Sequence, residues 1–155
     1  MAVFFQRTLT PAEAARAFIP PDVSDPPFLA PIECVMDLPF PPSANKLWTA
    51  RGGGHGQLMR SKQYMAWRTQ AGVSAVANGS WRRRVTMPGN FTALILLDSA
   101  RRPGSDCDNR IKPVLDWAQS VELIRNDELC DEVTARWAPT AEAPRGCRLI
   151  LRSVA

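Results

Sequence analysis

The residues best suited to chemistry lie in one stretch, GSDCDNRIKPVLDW at 104–117, which sets Asp106, Asp108 and Asp116 around Asn109 and Lys112. Carboxylates this close in sequence repel one another unless a cation lies between them, and the repulsion raises at least one pKa. A hard divalent ion removes the conflict. Magnesium takes oxygen ligands, keeps several waters and is commonly held by one or two carboxylates together with a substrate phosphate. A second explanation stands beside this one: Asp106 and Asp108 would also suit a helix N-terminus, which favours negative charge. Spacing alone does not separate the two.

These side chains must be aimed by the elements around them. The apolar run FTALILLDS at 91–99 reads as a strand covered on both faces. It gives way through ARRPGS to a helix over IKPVLDWAQSV, whose apolar stripe is Ile111, Val114, Leu115 and Ala118. At about 100° per residue, Asp108, Lys112 and Asp116 follow one another along one side of that helix, beside the stripe. Asp106 points the same way if the chain is extended there. Pro113 cannot sit deep in a helix without removing a hydrogen bond. The regular helix is therefore expected to begin near Lys112, leaving residues 106–109 in a shaped turn.

Elsewhere the pattern is that of a small mixed fold. Ile32, Cys34, Met36 and Leu38 alternate with polar neighbours, as in a strand with one buried face. Residues 39–57, rich in proline and glycine, read as a loop. Ser61 is placed to cap a helix with Tyr64, Trp67, Ala71 and Ala75 on one face, and Gly72 weakens its centre. EVTARWA and GCRLILR, joined by PTAEAPRG, look like a closing hairpin. The expected fold is α+β, one mixed sheet and two main helices in the order strand, helix, strand, helix, strand, strand.

At 155 residues and 45% hydrophobic the chain suits a single globular domain, expected over 32–155. Residues 1–31 read as an extension: Thr10, Pro11 and Glu13 form a capping-box start for a short helix to Phe18, followed by a proline-punctuated linker. No apolar run is long enough for a membrane helix and no signal-peptide pattern opens the chain, so a cytoplasmic location without membrane contact is expected. Cys34, Cys107, Cys130 and Cys147 are far apart with no CxxC pair, and His55 is the only histidine. That spacing supports neither a zinc site nor a disulfide framework, and the cysteines are read as reduced and mostly buried. The net charge is +4, and all the basic residues except Lys46, Lys62 and Lys112 are arginine, whose guanidinium fork matches phosphate oxygens.

Four segments in order carry a resemblance: LPFPPSANKLW, RSKQYMAWR, DCDNRIKPVLDW and IRNDELCDEV. Together they resemble the RusA family of Holliday-junction resolvases, small endonucleases encoded by bacteria and their phages, over residues from about Ile32 to the C-terminus. The family pattern is PPSxN, then Ser-Lys/Glu-x-Tyr-x-x-Trp-Arg, then DxDNxxKxxxD, then an acidic pair. The resemblance implies a RusA-like fold, with Asp106, Asp108 and Asp127 as ligands of Mg²⁺, or of Mn²⁺ in its place, and Lys112 as a residue needed for catalysis. Asp116, Asn109 and Asn45 match further motif positions near the site. The chain departs from the pattern at the acidic pair, which is Asn126-Asp127 here, with Glu128 and Asp131 as neighbouring carboxylates that compete for the assignment. The 1–31 extension has no counterpart in the compact family pattern.

The activity so implied is paired, symmetric nicking of four-way junction DNA in recombination and repair, in the cytoplasm of a bacterium or its phage's host. Hydrolysing a phosphodiester needs an activated water, neutralised charge on the phosphate and support for the departing oxygen. Two related nicks require a homodimer with two-fold symmetry. Arg51, Arg60, Lys62, Arg101 and Arg102 are candidate phosphate contacts, though each would serve equally as a solvated surface charge. Trp48, beside PPSxN, is a candidate for base contact. RGGGHG lacks the Gly-Lys-Ser/Thr ending of a phosphate loop, so no nucleotide cofactor is expected. Two other classes fit the same residues: a different metal-dependent nuclease or phosphohydrolase, and a DNA-junction-binding protein without activity whose acids only cap a helix.

Overall fold

In β1, Glu33–Pro39, the alternation seen in the sequence becomes two faces, with Cys34, Met36 and Leu38 buried and the residues between them turned outward. The computed structural model describes residues 31–50 and 58–154, which belong to one unit running from Pro31 onward. The helix expected from Thr10, the linker after it, Arg51 and His55 lie outside the described residues. The remaining elements are β2 Trp48–Ala50, β3 Leu58–Arg60, α1 Lys62–Ala77, β4 Phe91–Asp98, α2 Ile111–Ser120, β5 Cys130–Ala138 and β6 Gly146–Ser153. The fold is α+β, as its sequence indicates.

The main sheet has the order β1-β6-β4-β5, with β4 and β5 parallel and the other pairs antiparallel. One face gathers Met36, Leu38, Phe91, Ile95, Leu97, Leu149 and Leu151 against Tyr64, Trp67, Ala71 and Ala75 of α1 and Val114, Trp117 and Ala118 of α2. Each large side chain so buried stabilises the fold by about 1.5–3 kcal/mol, and this face is where the stability lies. The other face carries a half-buried row of Val35, Ile150 and Leu94. The cover expected on both faces of β4 is therefore complete only in its second half, where Leu96 packs with Ala138 and Ala143.

Two expectations need correction. β5 and β6 do not form a hairpin, because β4 lies between them and pairs with both. The connection 139–145 crosses the end of β4, where Thr140 Oγ1 donates to the buried Asp98 carboxylate at 2.8 Å and Ala143 packs beneath it. Gly146 then enters β6 at φ +111, and a Cβ there would lie 2.7 Å from the Phe40 backbone nitrogen. Nor is 39–57 wholly a loop. Ala44–Lys46 form a 3-10 turn, and Trp48–Ala50 pair antiparallel with Leu58–Arg60 as a separate two-stranded sheet.

The helices start as their residues dictate. Ser61 Oγ accepts from the Tyr64 amide at 3.1 Å, and α1 runs through Gly72 without a break. α2 begins at Ile111, preceded by a 3-10 turn over Asp108–Arg110. Pro113 is thus the third helical residue, where its missing N–H is one of those a helix leaves unpaired in any case.

Candidate functional site

Lys112 leaves the first turn of α2 with its ammonium between two carboxylates, donating to Asp116 Oδ1 at 2.8 Å and to Asp127 Oδ2 at 2.7 Å. The Asp116 pair is local, one helical turn apart. The Asp127 pair is not. It exists because Leu123 and Ile124 are buried beside α2, so the chain returns along the helix into the 3-10 turn Asp127–Leu129, which Asn126 caps by accepting from the Glu128 amide. Those hydrogen bonds, first to Asp116 and then to Asp127, raise the Lys112 pKa above its usual value. The Lys112 hydrogen bond holds Asp127 below the usual carboxylate range.

Asp116 is the hub of this group. Its side chain is only 6% exposed, and its second oxygen accepts from Arg60 Nη1 at 2.8 Å. The Arg60 guanidinium lies 4.0 Å from the centre of the Trp48 ring and 5.1 Å from that of the buried Tyr64 ring, a cation–π stack with an aromatic on more than one side. Burial, with the Asp116 charge second, pushes the Tyr64 hydroxyl pKa up. The short β2–β3 sheet is thereby tied to α2 through one arginine. Arg60, read from sequence as a phosphate contact, spends at least one of its donors inside the protein.

Asp106 and Asp108 lie just before and at the start of the 3-10 turn Asp108–Arg110 that precedes α2. Both are exposed. Asp106 Oδ2 accepts from the Asn109 side-chain amide at 3.2 Å, and neither aspartate makes a salt bridge among the described residues. Arg110, which sequence reasoning passed over, holds this turn in place. Its Nη1 donates to the Pro41 carbonyl at 2.9 Å, its Nη2 to Ser105 Oγ at 3.2 Å, and its guanidinium sits 5.0 Å from the Phe40 ring centre. Burial lowers the Arg110 pKa, offset in part by the Asp106 charge. No sequence signal marks Arg110, since two of its three partners, the Pro41 carbonyl and the Phe40 ring, are far away in the chain.

The other residues named from sequence are placed as follows. Asn45 and Lys46 lie exposed on the turn Ala44–Lys46, which packs against α2 and the Asp108–Arg110 turn. Lys62 is exposed at the first position of α1, and Arg101 and Arg102 are exposed just after β4. Glu128 accepts from Asn126 and Asp131 from Asn90, so both carboxylates have partners of their own. Trp67 and Trp117 are core, while Trp48 is 48% exposed. All four cysteines are unpaired thiols, Cys34 and Cys147 buried and Cys107 and Cys130 half-buried.

Whether these residues suit a divalent cation turns on donor chemistry and on existing partners. Asp106 and Asp108 offer hard carboxylate oxygens that make no salt bridge among the described residues, which suits an ion held by one or two carboxylates and a phosphate. Asp127, expected as a third ligand, has one oxygen bonded to Lys112. Among the described residues no three His, Cys, Asp or Glu side chains gather as a larger ligand set. No protein-family model matches the chain, and no curated protein is significantly similar to it in sequence. No helix among the described residues is long and apolar enough to cross a membrane.

Proposed function

We propose that this protein is a divalent-cation-dependent endonuclease acting on branched DNA, of the RusA type. The observation that carries the reading is the contact chain Arg60–Asp116–Lys112–Asp127. It draws onto one surface the hairpin after PPSxN, the DxDNxxKxxxD helix and the Asn126-Asp127 turn, three segments remote in sequence. Chance likeness of separate motifs gives no reason for their side chains to meet.

Asp106 and Asp108 would hold the cation, Mg²⁺ or Mn²⁺, which when bound neutralises phosphate charge and makes a water more acidic. The chain's own residues do the rest. Lys112, with its ammonium half exposed and fixed by two carboxylates, offers its third proton to a phosphate oxygen without further ordering. Asp116 holds Lys112 and Arg60 in fixed positions. Lys46, Lys62, Arg101 and Arg102, all exposed, take the backbone on either side. Paired nicks in a four-way junction would need two such sites, hence a homodimer with two-fold symmetry.

The test is incubation of the protein with a labelled synthetic four-way junction and Mg²⁺, beside flap and linear duplex substrates. Symmetric nicks in the junction alone, absent from Asp106→Asn, are expected. Nicks in every substrate would make it a less selective nuclease. The bond between Lys112 and Asp127 favours one other reading, a junction-binding protein without activity, in which Asp127 serves only to hold the lysine. That protein would bind the junction with steep salt dependence and give no product in Mg²⁺ or Mn²⁺.

A further inference from the structure

The described part of the β2–β3 sheet leaves large apolar side chains in water. It has three residues in each strand, and Trp48, Leu58 and Met59 are among the most exposed large apolar side chains in the described residues. Burying such groups would stabilise the fold, and leaving them in water does not. The register puts Trp48 opposite Arg60 on one side and Thr49 opposite Met59 on the other. The Trp48 side is built. Arg60 is clamped by the Asp116 carboxylate at 2.8 Å and lies against the Trp48 ring at 4.0 Å, so the indole rests on a fixed cation and not on mobile solvent. The hairpin root is closed by the Ser61 amide donating to the Leu47 carbonyl at 2.8 Å, and exposed Lys46 and Lys62 are the chain neighbours of these two residues.

From this geometry we infer that Trp48, seated on Arg60, is a stacking platform for an unpaired nucleobase of branched or single-stranded DNA. The strand's phosphates would lie against Lys46 and Lys62. The inference rests on the nucleic-acid reading above and names the part of the substrate this surface takes. A flat, half-exposed ring carries no hydrogen-bonding pattern of its own, so it accepts any base, and stacking on it is insensitive to sequence. Paired duplex keeps its bases in the helix and gives such a platform nothing to hold. A single strand offers it one, and a four-way junction does where base pairs at the branch point open.

Binding is measured by fluorescence anisotropy in EDTA, where no cutting occurs, with a labelled single strand, a labelled four-way junction and a labelled linear duplex. Trp48→Ala is expected to weaken single-strand and junction binding by roughly tenfold or more and to leave duplex binding within about twofold. Trp48→Phe should recover most of the loss, and Met59→Ala, on the opposite side of the hairpin, should bind as wild type. Circular dichroism melting of each variant confirms that the fold is kept. Wild-type affinity in Trp48→Ala overturns the platform while leaving the nuclease reading intact, and so does an equal loss in Met59→Ala. A wild-type protein that binds none of the three DNAs overturns both.

Discussion

Two groups of acids flank the start of α2, and they differ in what neutralises them. Asp116 and Asp127 are held by Lys112 and Arg60 at 2.7–2.8 Å, so their charge is already balanced within the protein. Asp106 and Asp108, a few residues earlier, have an amide partner for one and no salt bridge for either among the described residues, with Arg110 near enough to Asp106 to feel its charge. A protein balances charge internally where it needs a rigid scaffold. It leaves carboxylates exposed together only at some cost from their repulsion, which an added cation would relieve. The first group positions, and the second is left to receive.

The largest expected effect comes from the unbalanced pair. Asp108→Asn should reduce junction cleavage by at least about a hundredfold while leaving junction affinity within about twofold, since it removes ligand charge and no basic residue. Gel assays of cleavage and binding on one protein preparation check both halves, and a variant that still cuts would erase the distinction between the two groups.

Next comes the balanced group. Arg60→Met leaves the nearly buried Asp116 carboxylate with one cation in place of two and should destabilise the protein by about 1–3 kcal/mol in urea unfolding. It should also release Trp48, seen as a shifted indole N–H resonance. An unchanged midpoint would show that Asp116 is better solvated than its 6% exposure indicates.

The smallest effect belongs to the Lys112–Asp127 pair, both partners of which reach solvent. A double-mutant cycle of Lys112→Met and Asp127→Asn should give a coupling of about 0.5 kcal/mol at neutral pH. The sign of its pH dependence follows from the two shifts. Asp127 is depressed by Lys112, so its contribution is present above its unfolded pKa of about 4 and is lost as pH falls through the lower folded value. Lys112 is raised, so its contribution is present below its unfolded pKa of about 10 and is lost as pH rises through the higher folded value. Coupling that persists at pH 2 would contradict this pairing.

The residue pattern exposed some of this and hid the rest, for identifiable reasons. The buried faces of β1 and α1 were legible because Cys34, Met36 and Leu38 repeat every second residue and Tyr64, Trp67, Ala71 and Ala75 keep helical spacing. β2 was not, since Trp48, Thr49 and Ala50 are all exposed and carry no burial pattern. It is a strand through its pairing with Leu58–Arg60, which lies beyond a glycine-rich stretch in the sequence. The separation of β5 from β6 was equally hidden, because the connection 139–145 would also suit a hairpin, and the difference lies in β4 pairing with both strands, with Thr140 bonded to Asp98 at its end. At the site, Lys112 and Asp116 could be paired from their spacing alone. Their links to Asp127 and Arg60 depend on how α2 packs.

The most direct test of the contrast between the two groups is calorimetric titration of Mn²⁺ into the wild-type protein and into Asp108→Asn. Saturable binding to the wild type, weakened at least tenfold by the substitution, is the predicted result. Equal binding by both proteins, or none by the wild type, would contradict it.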